Sequence, residues 1–334
     1  MREDVAGQTG AKDLLSRVER LIGRQMLDAE AVFMRELDSR HPYVRDVLTH
    51  MNSYRGKRLR PMLLLLSGAA VGEIEESHKV LAAVVEMIHT ATLVHDDVLD
   101  EAQIRRHVAT VNSRYNNETS VLLGDYLFTH AFHLASSLES TLACRWIGRA
   151  TNLVCEGELC QIHERGNLYL TEEQYIEIIE GKTAELCAIC CALGAHFAGG
   201  AEQVVKAFES YGRSLGIAFQ IADDLLDVWG NESQTGKTLG SDFEKQKLTL
   251  PVIHLLAIST PNQAASIRDL LNTPTAESRR KLQQLLDQSD AVEYSRRRAQ
   301  EFAAAARAQL TCVPDSPARQ LLEEVTEFAT QRST

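Results

Sequence analysis

Two short segments bring carboxylates together in a way that suits a metal ion and a phosphate. LVHDDVLDE carries Asp96, Asp97 and Asp100, and QIADDLLDVW carries Asp223, Asp224 and Asp227. On a helix the first and last aspartate of each set lie one turn apart on the same face, so each segment presents two carboxylates side by side. Unaided, such a pair repels by about a few tenths of a kcal/mol on an exposed helix, and by more where it is partly buried. Mg²⁺ takes hard oxygen ligands, one or two carboxylates per ion, and leaves room for water and phosphate. Two copies, each closing an apolar run, therefore point to a Mg²⁺–diphosphate site, and two solvated helix ends are the weaker explanation.

The cations are placed to match, in several short motifs. GKRLRP supplies Lys57, Arg58 and Arg60 ahead of a helix begun by Pro61, where free backbone N–H groups also favour an anion. Arg105 and Arg106 follow the first aspartate set, and Lys182 and Thr183 stand in EGKTAE. Lys237, Lys245 and Lys247 lie in GNESQTGKTLGSDFEKQK, residues 230–247, a polar stretch whose length and composition suit an anion-binding lid. The GKT of EGKTAE is no Walker motif, because the G-x-x-x-x-G-K spacing is absent and a helical run precedes it.

The elements that must position these groups read as helices. Apolar residues recur at intervals of three and four, as in Leu81, Val84, Val85, Ile88, Ala91, Val94 and Val98. The pattern predicts helices over 11–38, 42–53, 60–71, 77–101, 107–116, 119–138, 142–164, 171–198, 201–229, 248–258, 262–272, 275–287, 290–310 and 315–331. The seven prolines fall at or between their starts. No repeat or low-complexity linker divides the chain, so one all-α domain over 1–334 is expected, a helical bundle.

Composition narrows the partners. A net charge of -11 on 334 residues argues against broad nucleic-acid binding, so an anionic ligand must be handled locally. The polar N-terminus has no apolar signal region, and no window of about 18 apolar residues occurs, so a cytoplasmic protein is expected. Among seven cysteines, Cys187, Cys190 and Cys191 sit in the small, apolar run LCAICCALGAHFAG, where reduced thiols act as small hydrophobes. A redox or zinc pair with Cys155, Cys160 and His163 as further ligands is the minor alternative.

Taken together, GKRLRP, the E-x-x-H-T-A-T-L-V-H-D-D-V-L-D-E run with its two arginines, LLGDYLF, EGELCQ, GKTAEL, GIAFQIADDLLD and the GK-x-x-G-S-D…K-L-T-L-P tail resemble the all-trans polyprenyl diphosphate synthases, and within them the long-chain branch. The motifs span roughly 56–251 in the family's order. The resemblance implies an all-helical homodimer with a central cavity between aspartate-bearing helices, using Mg²⁺, about three ions per site. It implies that Asp96, Asp100 and Asp223 hold the metal bridging an allylic diphosphate, with Asp97, Asp224 and Asp227 in support. Lys57, Arg60, His89 and Arg106 would hold isopentenyl diphosphate. Arg105, Lys182, Thr183, Gln220, Lys237 and Lys247 would face the allylic substrate, with Thr183, Gln220 and the Lys182 carbonyl stabilising the allylic cation. The chain departs from the family pattern at His107-Val108, where some relatives have Gly-Lys, and at Gln246 in EKQK, where Gly-Lys is common. Release of a long product implies a peripheral membrane contact, and the pathway implied is that of quinone side chains.

Product length follows from sterics. Ala91 and Thr92 lie about one turn deeper than Asp96, and Ile88 and Met87 about two. The resemblance implies that bulky aromatics at the first pair would stop the chain near three or four isoprene units; small residues let a tunnel continue, with its floor supplied by the 119–138 helix through Phe128 or Phe132. The expected product is C40, within C30–C50. A shorter-chain C15–C20 synthase is the alternative, followed by a class I terpene cyclase, disfavoured by the second aspartate set together with Lys57, Arg60 and His89, and by a regulatory subunit, disfavoured by both intact aspartate sets. Ala91→Phe is expected to shorten the product, measured by chromatographic sizing; unshortened product with activity retained would contradict the tunnel assignment.

Overall fold

The computed structural model describes residues 2–53, 56, 58–229 and 241–331. Lys57, Lys237 and residues 230–240 of the expected lid lie outside the described residues. The described chain is helical apart from one two-stranded ribbon. Numbered in chain order, its helices are α1 (Arg2–Glu36), α2 (Pro42–Asn52), α3 (Leu59–Val71), α4 (Glu76–Leu99), α5 (Val111–Arg114), α6 (Asn117–Ser136), α7 (Leu142–His163), α8 (Glu172–Ile179), α9 (Glu185–Phe197) and α10 (Glu202–Trp229). There follow α11 (Ser241–Glu244), α12 (Leu250–Ile258), α13 (Pro261–Asn272), α14 (Ala276–Asp287), α15 (Ala291–Gln309) and α16 (Pro317–Gln331). Among the described residues, no helix is long and apolar enough to cross a membrane.

Residue contacts divide the chain into two compact units. The first comprises 1–151, 186–212 and 309–325, the second 152–185, 213–308 and 326–334. In the first unit α4 packs against α1, α3 and α6. Its apolar residues go nearly all the way round, and Leu81, Val84, Val85, Met87, Ile88 and Ala91 have no exposed surface. That is the pattern of a helix enclosed by its neighbours. In the second unit Tyr175, Ile178, Ile217, Ile221, Leu250, Ile253, Leu282 and Leu286 form one core.

Local signals set the helix ends. Pro42, Pro251 and Pro261 open α2, α12 and α13 at positions where a missing N–H costs nothing. Thr171 and Thr260 cap α8 and α13 through capping boxes with Gln174 and Gln263, and Asn116 caps α6 by accepting from Thr119 N at 2.7 Å.

Two expected helices differ from the pattern reading. In place of a helix over 107–116, the strands β1 (Ile104–Arg105) and β2 (Val108–Ala109) pair antiparallel, and only Val111–Arg114 is helical. Arg106 and His107 form the two-residue loop at φ 51° and 65°, both left-handed, as a tight hairpin with the right twist requires. Thr110 then starts α5: its Oγ1 donates to Ala102 O at 2.6 Å and accepts from Ser113 N at 3.3 Å. The run expected over 171–198 is interrupted by a π-helical turn, Glu180–Ala184.

His78 fastens the start of α4 to α9. Its Nδ1 accepts from Glu75 N at 3.0 Å and its Nε2 donates to Gly194 O at 3.1 Å, which fixes the neutral ring. Burial pushes its pKa below the ordinary 6.5. The unfolded chain therefore binds the proton more readily, and the stability contributed by the neutral ring is lost as pH falls through about 6.5. Calorimetric Tm is expected to fall between about pH 7.5 and pH 5.5, and less steeply in His78→Gln; equal slopes in the two proteins would contradict this.

Candidate active site

In the first unit α4 delivers the first aspartate set. Asp96 and Asp100 are half-buried on one face at its C-terminal end, whereas Asp97, 1 % exposed, points inward. Arg105 Nε donates to Asp97 Oδ1 at 2.8 Å, and the Asn112 amide donates to the Asp97 carbonyl at 3.3 Å. The middle aspartate thus ties the hairpin to α4, and Arg105 is engaged by it. His95 is a packing residue: its Nε2 donates to Val121 O at 3.1 Å, its ring stacks on Phe128 with centroids 5.9 Å apart, and it fills the space that a side chain at Gly124 would occupy.

A cluster of guanidinium groups lies in the same unit. Arg58, at φ 50° just before α3, reaches Glu86 at 2.6 Å and Glu30 at 3.0 Å, and lies over the Phe33 ring at 5.1 Å. Arg60 stands in the first turn of α3, its buried Nε without a hydrogen-bond partner. Arg106 reaches back from the hairpin so that its guanidinium covers Gly56, where a β-carbon would collide with it. His89 shares the Glu86 face of α4, one turn on. Burial, then the charges of Arg60, Arg106, Arg105 and Arg58, hold its pKa well below the usual histidine range, so its ring is neutral. Burial raises the pKa of Glu86, against the pull of Arg58, Arg60 and Arg106. Such a cluster favours an anion, since helix N–H groups and guanidinium forks both donate.

Ala91 and Ile88 have no exposed surface, while Thr92 is half-buried on the Asp96 face and donates from Oγ1 to His89 O at 2.8 Å. Of the three chain-length candidates, Thr92 is the one reachable in this conformation.

The second unit repeats the division of its aspartates. Asp223 and Asp227 are half-buried on one face of α10, and Asp224 is 2 % exposed. Tyr175 on α8 donates to Asp224 Oδ2 at 2.7 Å, Gln220 Nε2 donates to Asp224 Oδ1 at 2.7 Å, and Thr183 Oγ1 donates to Gln220 Oε1 at 2.8 Å. Lys247 Nζ stands 3.7 Å from Asp224 Oδ1. Lys182 and Thr183 belong to the π-turn, a helical irregularity common at functional sites. Its backbone lies against α7, where a β-carbon on Gly157 would be 2.5 Å from Lys182 N. Lys182 Nζ pairs with Glu158 at 2.5 Å.

The donor set fits a hard divalent cation. Each motif offers two reachable carboxylates and keeps the third for internal hydrogen bonds. Paired carboxylates with half-buried surface suit an ion that completes its shell with phosphate and water. Sequence reasoning missed Glu86, Glu158 and Tyr175 as partners of the site. The E-x-x-H spacing was a signal for Glu86, whereas Tyr175 reads as one more core aromatic.

The sequence model described as polyprenyl synthetase matches residues 41–289. The chain belongs to the polyprenyl synthetase family. It is 37% identical to octaprenyl diphosphate synthase of Escherichia coli over 321 residues, 95% of this chain and 99% of that one. A decaprenyl diphosphate synthase from Rhodobacter capsulatus has the same fold, with a TM-score of 0.90 and 35% identity over 96% of this chain and 99% of its own. So does a polyprenyl synthase from Caulobacter crescentus solved with calcium and isoprenyl diphosphate, with a TM-score of 0.90 and 34% identity over 96% and 98%. The fold is the all-α isoprenoid synthase fold, and the protein is a prenyltransferase. His107 and Gln246, where the sequence departs from the family's Gly-Lys, both have positive φ, 65° and 52°. Glycine adopts that backbone freely, and histidine is among the residues that tolerate it best.

Burial is the main cause of the lowered His89 pKa, and an anion bound by the arginine cluster would offset the arginine charges that add to it. Inorganic pyrophosphate is therefore expected to raise the His89 pKa, read by ring NMR, and Gly56→Ala to weaken that effect by displacing Arg106. An unmoved His89 resonance at saturating pyrophosphate would contradict the anion site.

Proposed function

We propose that the protein condenses isopentenyl diphosphate with an allylic diphosphate, farnesyl or geranylgeranyl, to build a long-chain all-trans polyprenyl diphosphate for quinone side chains. The product we assign is C40, within C30–C50. The observation that carries this reading lies in the first unit. A metal-type carboxylate pair stands at the end of α4, and an arginine cluster from outside that helix acts on its Glu86 and His89, with His89 two turns before Asp96, about 10 Å along the axis. One diphosphate reached through metal and a second held by guanidinium groups is what an elongating enzyme needs. A terpene cyclase has no use for the second site.

In this proposal Arg60, His89 and Arg106, with Lys57, hold isopentenyl diphosphate. Asp96, Asp100, Asp223 and Asp227 hold Mg²⁺, about three ions, against the allylic diphosphate. The metal, when bound, offsets the negative charge that grows on the leaving diphosphate. Lys182, Lys237 and Lys247 add positive charge toward the same group. Asp97 and Asp224 serve as braces behind their neighbours, and Arg105 acts through Asp97 as well as toward the substrate.

The allylic carbon becomes cationic as its C–O bond breaks, and it needs partial negative charge that does not attack it. Thr183 Oγ1, Gln220 Oε1 and the Lys182 carbonyl supply this. The double bond of isopentenyl diphosphate then adds, and the proton lost passes to the departed diphosphate, so no protein base is required. Thr92 faces the path of the growing chain, with Ala91 and Ile88 buried beneath it. We assign residues 1–334 to one catalytic domain, and the protein works as a cytoplasmic homodimer that touches a membrane to release its product.

The test is to incubate the purified protein with Mg²⁺, farnesyl diphosphate and labelled isopentenyl diphosphate and to size the products. Chains centred on C40 are expected. No extension, or arrest at C20, would overturn the long-chain assignment.

A further inference from the structure

The second unit contains a buried hydrogen-bond chain whose polarity is dictated by chemistry. It runs Tyr175 to Asp224, Asp224 to Gln220, and Gln220 to Thr183, with all three contacts between 2.7 and 2.8 Å. Tyr175, Asp224 and Thr183 are buried and Gln220 is half-buried. An ionised carboxylate only accepts, so the Gln220 group facing Asp224 must be its NH₂. The amide oxygen is thereby turned toward Thr183, and the Thr183 hydrogen is drawn onto that oxygen.

We propose that Asp224, held by the Tyr175 hydroxyl, is a positioning residue that fixes the orientation of the Gln220 amide, so that the oxygens of Gln220 and Thr183, and never the amide NH₂, face the allylic cation. This inference rests on the cation-stabilising role given to Thr183 and Gln220 above and adds what makes that role possible. Without the carboxylate the amide can turn over. Its NH₂ would then point at Thr183 and at the cation, exchanging partial negative for partial positive charge where ionisation is most sensitive. The same geometry separates Asp224 from Asp223 and Asp227: the outer two keep reachable surface, while both oxygens of Asp224 are engaged inside the protein.

The test is a swap. Asp224→Asn is expected to lower kcat by about 100-fold, the scale of losing one oriented polar group at a developing charge, with the half-saturating Mg²⁺ and both KM values changed by less than about threefold. Tyr175→Phe, which retains the fold's apolar packing, should lower kcat by about tenfold in the same pattern, by loosening Asp224. The decisive variant is Asp224→Asn combined with Gln220→Glu. A carboxylate at 220 accepts from Thr183 and from the new amide at 224, whose oxygen accepts from Tyr175, so oxygen again faces the cation whichever way the group turns. At least about a tenfold recovery of kcat over Asp224→Asn is expected.

If the swap recovers nothing, or if Asp224→Asn acts by raising the Mg²⁺ requirement, the inference is wrong. Thr183→Val and Gln220→Leu separate it from the reading it rests on: should both leave kcat intact, the cation-stabilising role itself fails. Should they lower kcat while the swap gives no recovery, that role stands and the positioning by Asp224 falls.

Discussion

Carboxylates that are to be reached by metal must keep surface that the metal can approach, and this constraint organises both aspartate motifs. An aspartate pair one turn apart repels. Among the described residues, Arg105 pairs with the inward Asp97, Arg58 with Glu86 and Glu30, and Lys182 with Glu158. The middle residue of each triplet draws the internal hydrogen bonds, and the outer pair keeps reachable surface.

The same logic explains the unusual backbone. Covering Gly56 with the Arg106 guanidinium takes a hairpin tight enough to put Arg106 and His107 in the left-handed region. The π-turn that carries Lys182 and Thr183 is pressed against Gly157 so closely that no side chain fits there. Local strain of about 1–3 kcal/mol per residue is tolerated where the surroundings over-determine the conformation, and at 106–107 hydrogen bonds from His50 to Ala109 O and from Thr110 to Ala102 O clamp the hairpin's far end.

The sequence made the helices and the reactive residue types legible, because apolar spacing and paired carboxylates are local patterns. It did not reveal the hairpin, since Arg106-His107 lacks the Asn-Gly signature of such a turn, nor the π-turn, which lies against another helix at Gly157. Of the six aspartates, spacing alone could not say which face the protein. That depends on partners distant in sequence, Arg105 for Asp97 and Tyr175 for Asp224. Tyr175, 49 residues from Asp224, carried no signal beyond that of a core aromatic.

The division of the aspartates is open to direct counting. Titration of Mn²⁺ in the presence of inorganic pyrophosphate, followed by electron paramagnetic resonance, gives the number of ions held by the protein. The account predicts that Asp96→Asn and Asp223→Asn each hold fewer ions than the parent, while Asp97→Asn holds the same number and loses thermal stability. Loss of bound ions in Asp97→Asn with its stability intact would contradict it.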